Sequence, residues 1–365
     1  MPKFELSVGF ASTDWSKVDD QIVPNGCTWY RCMLPSYELL CSGIPSSVGF
    51  IQLKQNRGFA IGHTGGQKGA VYKIIVLKVI MHKMVLEHIK FAKKYGQTIV
   101  VDIDDLFEEI HATNMAHDST DPKKNRDNNR VIYQEIIEAA DAIICSTPFI
   151  SDYYKAKFPN KPVFMVRNSI DTDRWTRLNA AKRQPIIGWL GATPWRSLDL
   201  EELSGFFNDY LESRNVKFHH SGYLNWAPLA HAKLGIMNPK ERVTVSPMVP
   251  LMDLPKTYAN FDIGIVPLND IPFNRAKSFI KGLEYAAAGT PFVASALPEY
   301  EYLAAQGVGK IASNKSEWFH ALDSLLDPDE RQKESIRCRQ IVESEFSISA
   351  RRKEWISVFK EIGKL

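Results

Sequence analysis

Between positions 261 and 295 the chain reads FDIGIVPLNDIPFNRAKSFIKGLEYAAAGTPFVAS, and the spacing of its apolar residues changes twice. FDIGIVPL is a near-continuous apolar run, as a strand buried on both faces requires. The polar loop at Asn269, Asp270, Pro272 and Asn274 interrupts it. From about Ala276 the spacing becomes helical. Ala276, Phe279, Ile280, Leu283 and Ala287 make one face, and Lys277, Lys281 and Glu284 lie opposite. Gly289 and Pro291 end that helix, and TPFVAS is the next buried strand. This order puts a helix start at the carboxyl ends of a parallel sheet, where open α/β folds bind ligands.

The same alternation runs along the chain. In the first half it predicts strands at 4–10, 47–52, 58–62, 98–103 and 141–147, and helices at 33–41, 131–140 and 150–158. Residues 71–85 are apolar but broken by Lys73, Lys78, His82 and Lys83, so they read as an amphipathic helix able to touch a membrane. A basic helix then ends near Gly96. Residues 11–24 read as a polar loop, 63–67 as a loop beside the ligand, and 111–129 as a long mobile loop. The second half predicts strands at 185–191, 216–222, 242–249 and 308–311. Its helices are expected from about Leu198, over 252–259, 315–326 and 329–346, and in an amphipathic end at 349–362. The expected fold is α/β, with two doubly wound parallel sheets. The boundaries are 1–170, 171–345 and a last helix, 346–365, crossing back onto the first domain.

Length and composition fit this. The 365 residues suffice for two domains, and the net charge of +3 is too small to imply nucleic acid by itself. Cys27, Cys32, Cys41, Cys145 and Cys338 are scattered and lack zinc-site spacing, so reduced thiols and a cytoplasmic location are expected. No apolar run approaches the ~20 residues of a membrane helix, so no membrane insertion is expected. A P-loop, a Gly-x-Ser-x-Gly elbow and a zinc signature are missing from the sequence.

Three places carry candidate chemistry. Lys277 and Ser278 fall in the expected first helical turn, where backbone N–H groups and the helix dipole favour a diphosphate; Glu284 could accept hydrogen bonds from ribose hydroxyls. The plain alternative is a solvated Lys/Glu face. Gly191, in the loop with Thr193 and Arg196, would allow close approach of a phosphate that Arg196 could pair bidentately. Asp102, Asp104 and Asp105 end a buried strand, which is costly unless they bind something. Asp104 or Asp105 could instead cap a helix beginning at LFEEI.

The run KSFIKGLEYAAAGTPFVAS resembles the donor-binding segment of retaining glycosyltransferases of the B-type fold, in which two Rossmann-like domains face across a cleft. The Ala-Asp, strand, Ser/Thr-Pro run at 140–148 and the Asn-Ser-Ile-Asp turn at 168–171 resemble other parts of that family. Ser169 replaces a usual glycine, and Ala276 stands where the family often has a glutamate. The resemblance implies a nucleoside-diphosphate sugar, most readily a UDP-sugar, as co-substrate, with no cofactor and no bound metal. It implies donor contacts at Gly26, Gly191, Thr193, Arg196, Met248, Val249, Asn274, Lys277, Ser278, Lys281 and Glu284. Catalytic roles would fall to Asp104, Asp105 and Lys277, and an acceptor-side contact to Arg31. Apart from the resemblance, the basic residues Lys123, Lys124 and Arg126 make the 111–129 loop either an acceptor-recognising segment or a disordered insertion. Asp102-Ile103-Asp104 also resembles the metal-holding Asp-x-Asp pattern of A-type glycosyltransferases. The compact form and acidic turn resemble bacteriophage glycosyltransferases, whose acceptors include modified DNA bases and virion proteins. An epimerase or phosphorylase on the same scaffold, or a silent nucleotide-sugar or nucleic-acid binding module, is the alternative. The oligomeric state is left open.

Overall fold

Apolar runs form the strands of two largely parallel sheets, one in each of two compact units. The computed structural model describes residues 6–54, 58–62, 69–175, 185–196, 198–237, 239–258 and 260–365. The expected loop at 63–67 lies outside them. The first unit comprises Met1–Glu109, His117–Ser169 and Ile348–Leu365; the second comprises Ile110–Ala116 and Ile170–Ser347.

The strands of the first unit are β1 (Val8–Ser12), β2 (Trp15–Val18), β3 (Gln21–Pro24), β4 (Ser46–Lys54), β5 (Gly58–Gly62), β6 (Ala70–Val71), β7 (Ile74–Lys78), β8 (Thr98–Ile103), β9 (Ala142–Cys145) and β10 (Val163–Met165). β2 and β3 form a hairpin where the sequence suggests only a polar loop. The sheet runs β10-β9-β8-β7-β1-β4-β5-β6. β5 and β6 join antiparallel at one edge, and the other neighbours are parallel. Counted in chain order, the parallel strands run 2-1-3-4-5-6, so the order reverses between β1 and β7. The carboxyl ends of those two strands flank the crevice that such a reversal opens.

β7 corrects the expectation of an amphipathic helix over 71–85. All five of its residues are buried, and the helix Lys83–Lys94 begins only afterwards. A strand buried on both faces shows no alternation. Lys78, which reads as a solvent marker, is instead enclosed in an ion pair. The segment 111–129 is likewise tied down. Asn129 caps the helix Arg130–Ala139 through Val131 N and Ile132 N, Arg130 Nη1 donates to His117 O at 2.7 Å, and Lys83 N donates to Asp127 O at 2.8 Å. Its order comes from polar side chains, which apolar periodicity does not reveal. The C-terminal helix Arg352–Ile362 buries Trp355, Phe359 and Ile362. The Phe359 ring meets Phe10 of β1 edge-on at 5.7 Å, and Arg352 pairs with Glu38.

The second unit holds β11 (Ile186–Leu190), β12 (Lys217–Tyr223), β13 (Val243–Pro247), β14 (Ile263–Val266), β15 (Phe292–Ser295) and β16 (Lys310–Ala312), all parallel, in the order β13-β12-β11-β14-β15-β16. This is the 3-2-1-4-5-6 order of a Rossmann sheet, reversing between β11 and β14. Trp189, Phe207, Tyr210, Phe218, Trp318 and Leu322 pack its core. The helix between β14 and β15 spans Ile280–Ala287, not a start at Ala276. Pro272 opens a separate short helix, Pro272–Arg275, so Lys277 and Ser278 lie in the connection. Gly289, at φ 72°, terminates the long helix as expected. A Cβ on Gly264 would sit 2.5 Å from the Tyr285 ring, so this glycine lets the helix lie directly on β14. Among the described residues no helix is long and apolar enough to cross a membrane.

Candidate functional site

In the second unit, the loops after β11 and β14 bring together Arg196, Asn274, Lys277, Lys281 and Glu284. Asp199 organises them. It is buried, accepts a hydrogen bond from Asn274 Nδ2 at 2.9 Å, and lies 3.4 Å from the Lys277 ammonium. Lys277 Nζ also sits 5.0 Å from the centre of the Phe273 ring. Lys281 is in the first turn of the Ile280–Ala287 helix, 3.6 Å from Glu284. Burial pushes the Lys281 ammonium down to about 8; Glu284 opposes this, while Arg196 and Lys277 add like-charge repulsion. Three cations therefore crowd one place around two carboxylates. Such crowding favours an added anion.

Glu284 is buried, and its Oε2 accepts the Tyr258 hydroxyl at 2.5 Å. The plain alternative of a solvated Lys/Glu face does not describe Glu284, which is held by Tyr258 and by the intrahelical pair with Lys281. Glu202, a half-buried carboxylate, accepts Leu268 N at 2.9 Å and Ser295 Oγ at 2.5 Å, which fixes the ends of β14 and β15. Asn269 Oδ1, in the loop after β14, is buried without a hydrogen-bond partner among the described residues. Asp199, Tyr258 and Glu202 lie far from the motif in sequence, so no local spacing reveals them.

The remaining donor-side candidates divide. Thr193 Oγ1 donates to Pro228 O at 2.6 Å, so its hydroxyl serves the loop. A Cβ on Gly191 would come within 2.8 Å of the Trp189 ring; internal packing alone requires a glycine there. Ser278 is half-buried. Met248 follows β13, is 57% exposed, and donates its backbone N–H to Tyr223 O at 3.1 Å; Val249 beside it is half-buried. Two exposed tryptophans missed in the sequence, Trp195 and Trp226, meet edge-on at 6.2 Å near the same end of the sheet.

The first unit has its own charged cluster at the carboxyl ends of β7 and β8. Asp102 and Lys78 are fully buried and 3.0 Å apart. The Arg31 guanidinium, also fully buried, donates from Nη2 to Asp102 at 2.6 Å and from Nη1 to Val166 O at 2.7 Å. Lys78 reaches Asp104 Oδ1 at 2.5 Å. Burial would raise the Asp102 pKa, but Arg31 and Lys78 outweigh it and hold the group below its usual value. Asp102 and Asp104 are thus paired with cations of the chain itself. Arg31 cannot face an acceptor; that expectation is corrected by its burial and its bonds. The Asp-x-Asp reading loses Asp102 to the same cations. Asp104 and Asp105 remain half-buried at the crevice.

A Cβ on Gly26 would meet nothing within 4 Å, so the space beside it is open. The N–H groups that follow it, on Cys27 and Thr28, donate to Asp14 Oδ2 at 2.9 and 3.3 Å. Those two N–H groups are therefore satisfied by a carboxylate of the chain. Burial raises the pKa of Asp14, with Asp104 adding repulsion. Lys123 and Arg126 are exposed, whereas Lys124 pairs with Asp118.

No sequence-family profile and no curated protein matches the chain. Solved structures do match, over nearly its whole length. It is similar to sucrose-phosphate synthase from Thermosynechococcus elongatus, with TM-score 0.66 and 13% identity, covering 98% of this chain and 99% of that one. The catalytic domain of starch synthase IV from Arabidopsis thaliana, solved with ADP and acarbose, gives 0.64 at 10% identity over 99% and 100%. HepE from Anabaena, solved with UDP, gives 0.61 at 14% identity over 99% and 100%. At these identities the likeness establishes architecture. The chain has the α/β fold of the B-type glycosyltransferases, with a Rossmann-like sheet in each half.

Proposed function

We propose that the protein transfers a sugar, with retention, from a nucleoside-diphosphate sugar to an acceptor hydroxyl. The observation that carries this is the cluster of Arg196, Lys277 and Lys281 beside the order reversal of the second sheet. The donor's diphosphate takes up negative charge as the glycosidic bond breaks, and preorganised cations stabilise that charge. Structures of HepE with UDP and with UDP-glucose support a UDP-sugar as co-substrate. In this reading Glu284, fixed by Tyr258, binds the ribose, and Met248 and Val249 border the base. Asp104 or Asp105 orients the sugar or accepts the acceptor's proton. No protein nucleophile is assigned; the acceptor hydroxyl attacks on the face the diphosphate leaves.

Incubation of the purified protein with UDP-glucose and other nucleotide sugars, with and without candidate acceptor sugars, tests this. Acceptor-dependent release of nucleoside diphosphate is expected, with the donor's anomeric configuration kept in the product by NMR. Inversion would refute retention. Failure to bind or turn over any nucleotide sugar would refute the reading.

The Lys281 pKa gives a second test. Below about 8 the lysine is charged and attracts diphosphate; above it the folded apoprotein has lost that proton. Diphosphate binding should therefore weaken as pH rises through about 8, with proton uptake measured by calorimetry in buffers of different ionisation enthalpy. Lys281→Arg should flatten the profile, because arginine stays protonated. An unchanged profile in that variant would remove Lys281 from the site.

A further inference from the structure

The helix Lys83–Lys94 carries an outer face that the donor site does not use. Val85, Ile89 and Ala92 pack it against the first unit. Met84, Phe91 and Tyr95 are 45%, 37% and 40% exposed. At about 100° per residue these three fall within one narrow arc. The Phe91 and Tyr95 rings meet at 4.8 Å, which makes a continuous apolar ridge. Lys83, Lys90 and Lys94 are exposed in an adjoining arc. Lys83 has Glu87 at 3.8 Å; among the described residues no carboxylate pairs with Lys90 or Lys94. The loop bearing Lys123 and Arg126 adds positive charge beside the helix start, where His82 bridges to Asn128.

We propose that this face docks on an anionic lipid bilayer surface. An apolar ridge beside a lysine row is the chemistry of a helix lying in the membrane interface. Met84, Phe91 and Tyr95 enter the boundary between headgroups and acyl chains, while the lysines reach the lipid phosphates along their flexible stems. Nucleic acid would match the lysines but leave the ridge in water, so lipid accounts for more of the face. The proposal is independent of the donor site, and an acceptor held at a membrane would be presented to an enzyme docked this way.

Flotation of the full chain with vesicles tests it. Binding is expected to vesicles with about one-third phosphatidylglycerol, to fall with salt, and to be weak on phosphatidylcholine alone. The pairs Phe91→Ser with Tyr95→Ser, and Lys90→Glu with Lys94→Glu, should each lower partitioning by about tenfold or more. Circular dichroism and nucleotide binding should stay unchanged, and Lys315→Glu, in the other unit, should have no effect. Equal binding to neutral vesicles, no binding to anionic ones, or full binding by either double variant would overturn the proposal. So would a ridge that alters only self-association in sedimentation velocity. DNA binding that survives the Phe91/Tyr95 changes, without vesicle binding, would assign the lysines to nucleic acid instead.

Discussion

Changing Lys277 to methionine should lower turnover of the nucleotide sugar by about 10²–10³-fold, the usual cost of removing one group aimed at developing negative charge. The loss should fall mainly on kcat, because the diphosphate gains charge in the transition state. The fold should survive. Asp199 keeps its hydrogen bond from Asn274 at 2.9 Å, and methionine still fills the space beside Phe273. Steady-state rates with an unchanged thermal midpoint would separate chemistry from stability. Wild-type turnover in this variant would take the diphosphate away from the cluster.

The largest expected stability effect lies in the first unit. Arg31→Met should destabilise it by about 3–5 kcal/mol, because Asp102 stays buried with one cation gone and Val166 O loses a donor. Denaturant unfolding, followed as the transition of that unit, measures this. Adding Asp102→Leu should restore much of the loss, since the uncompensated charge is then removed. A double variant no better than the single would mean that the pair contributes shape rather than charge. The network also predicts acid sensitivity. The lowered Asp102 pKa confers stability above the ordinary aspartate value of 3.8, and that stability is lost as pH falls through the lowered value.

Much of the second sheet can be read directly from the sequence. IIGWL, IGIV and FVAS are unbroken apolar runs, and their expected positions match β11, β14 and β15. The start of the helix before β15 escapes periodicity, because Ala276 fits the helical spacing as well as Ile280 does. Pro272 settles the matter by opening a separate turn. β7 escapes for a different reason. A lysine closing an apolar run signals solvent unless its counter-ions are known, and those of Lys78 arrive from β8, some twenty-five residues on. The donor cluster is half legible. Lys277 and Glu284 stand in one motif, but Asp199 and Tyr258, which hold them, come from other loops.

The C-terminal helix sets an order on biosynthesis. Trp355 stacks under Arg31 at 4.8 Å from the ring centre, and Phe359 closes over Phe10. The first unit is therefore discontinuous in the chain, and its opening 109 residues await the last eighteen. Most of the second unit is contiguous and is synthesised before that helix. The stretch that completes the first unit is thus made after the second, and the buried pair of Arg31 and Asp102 lacks its aromatic cover until that helix emerges.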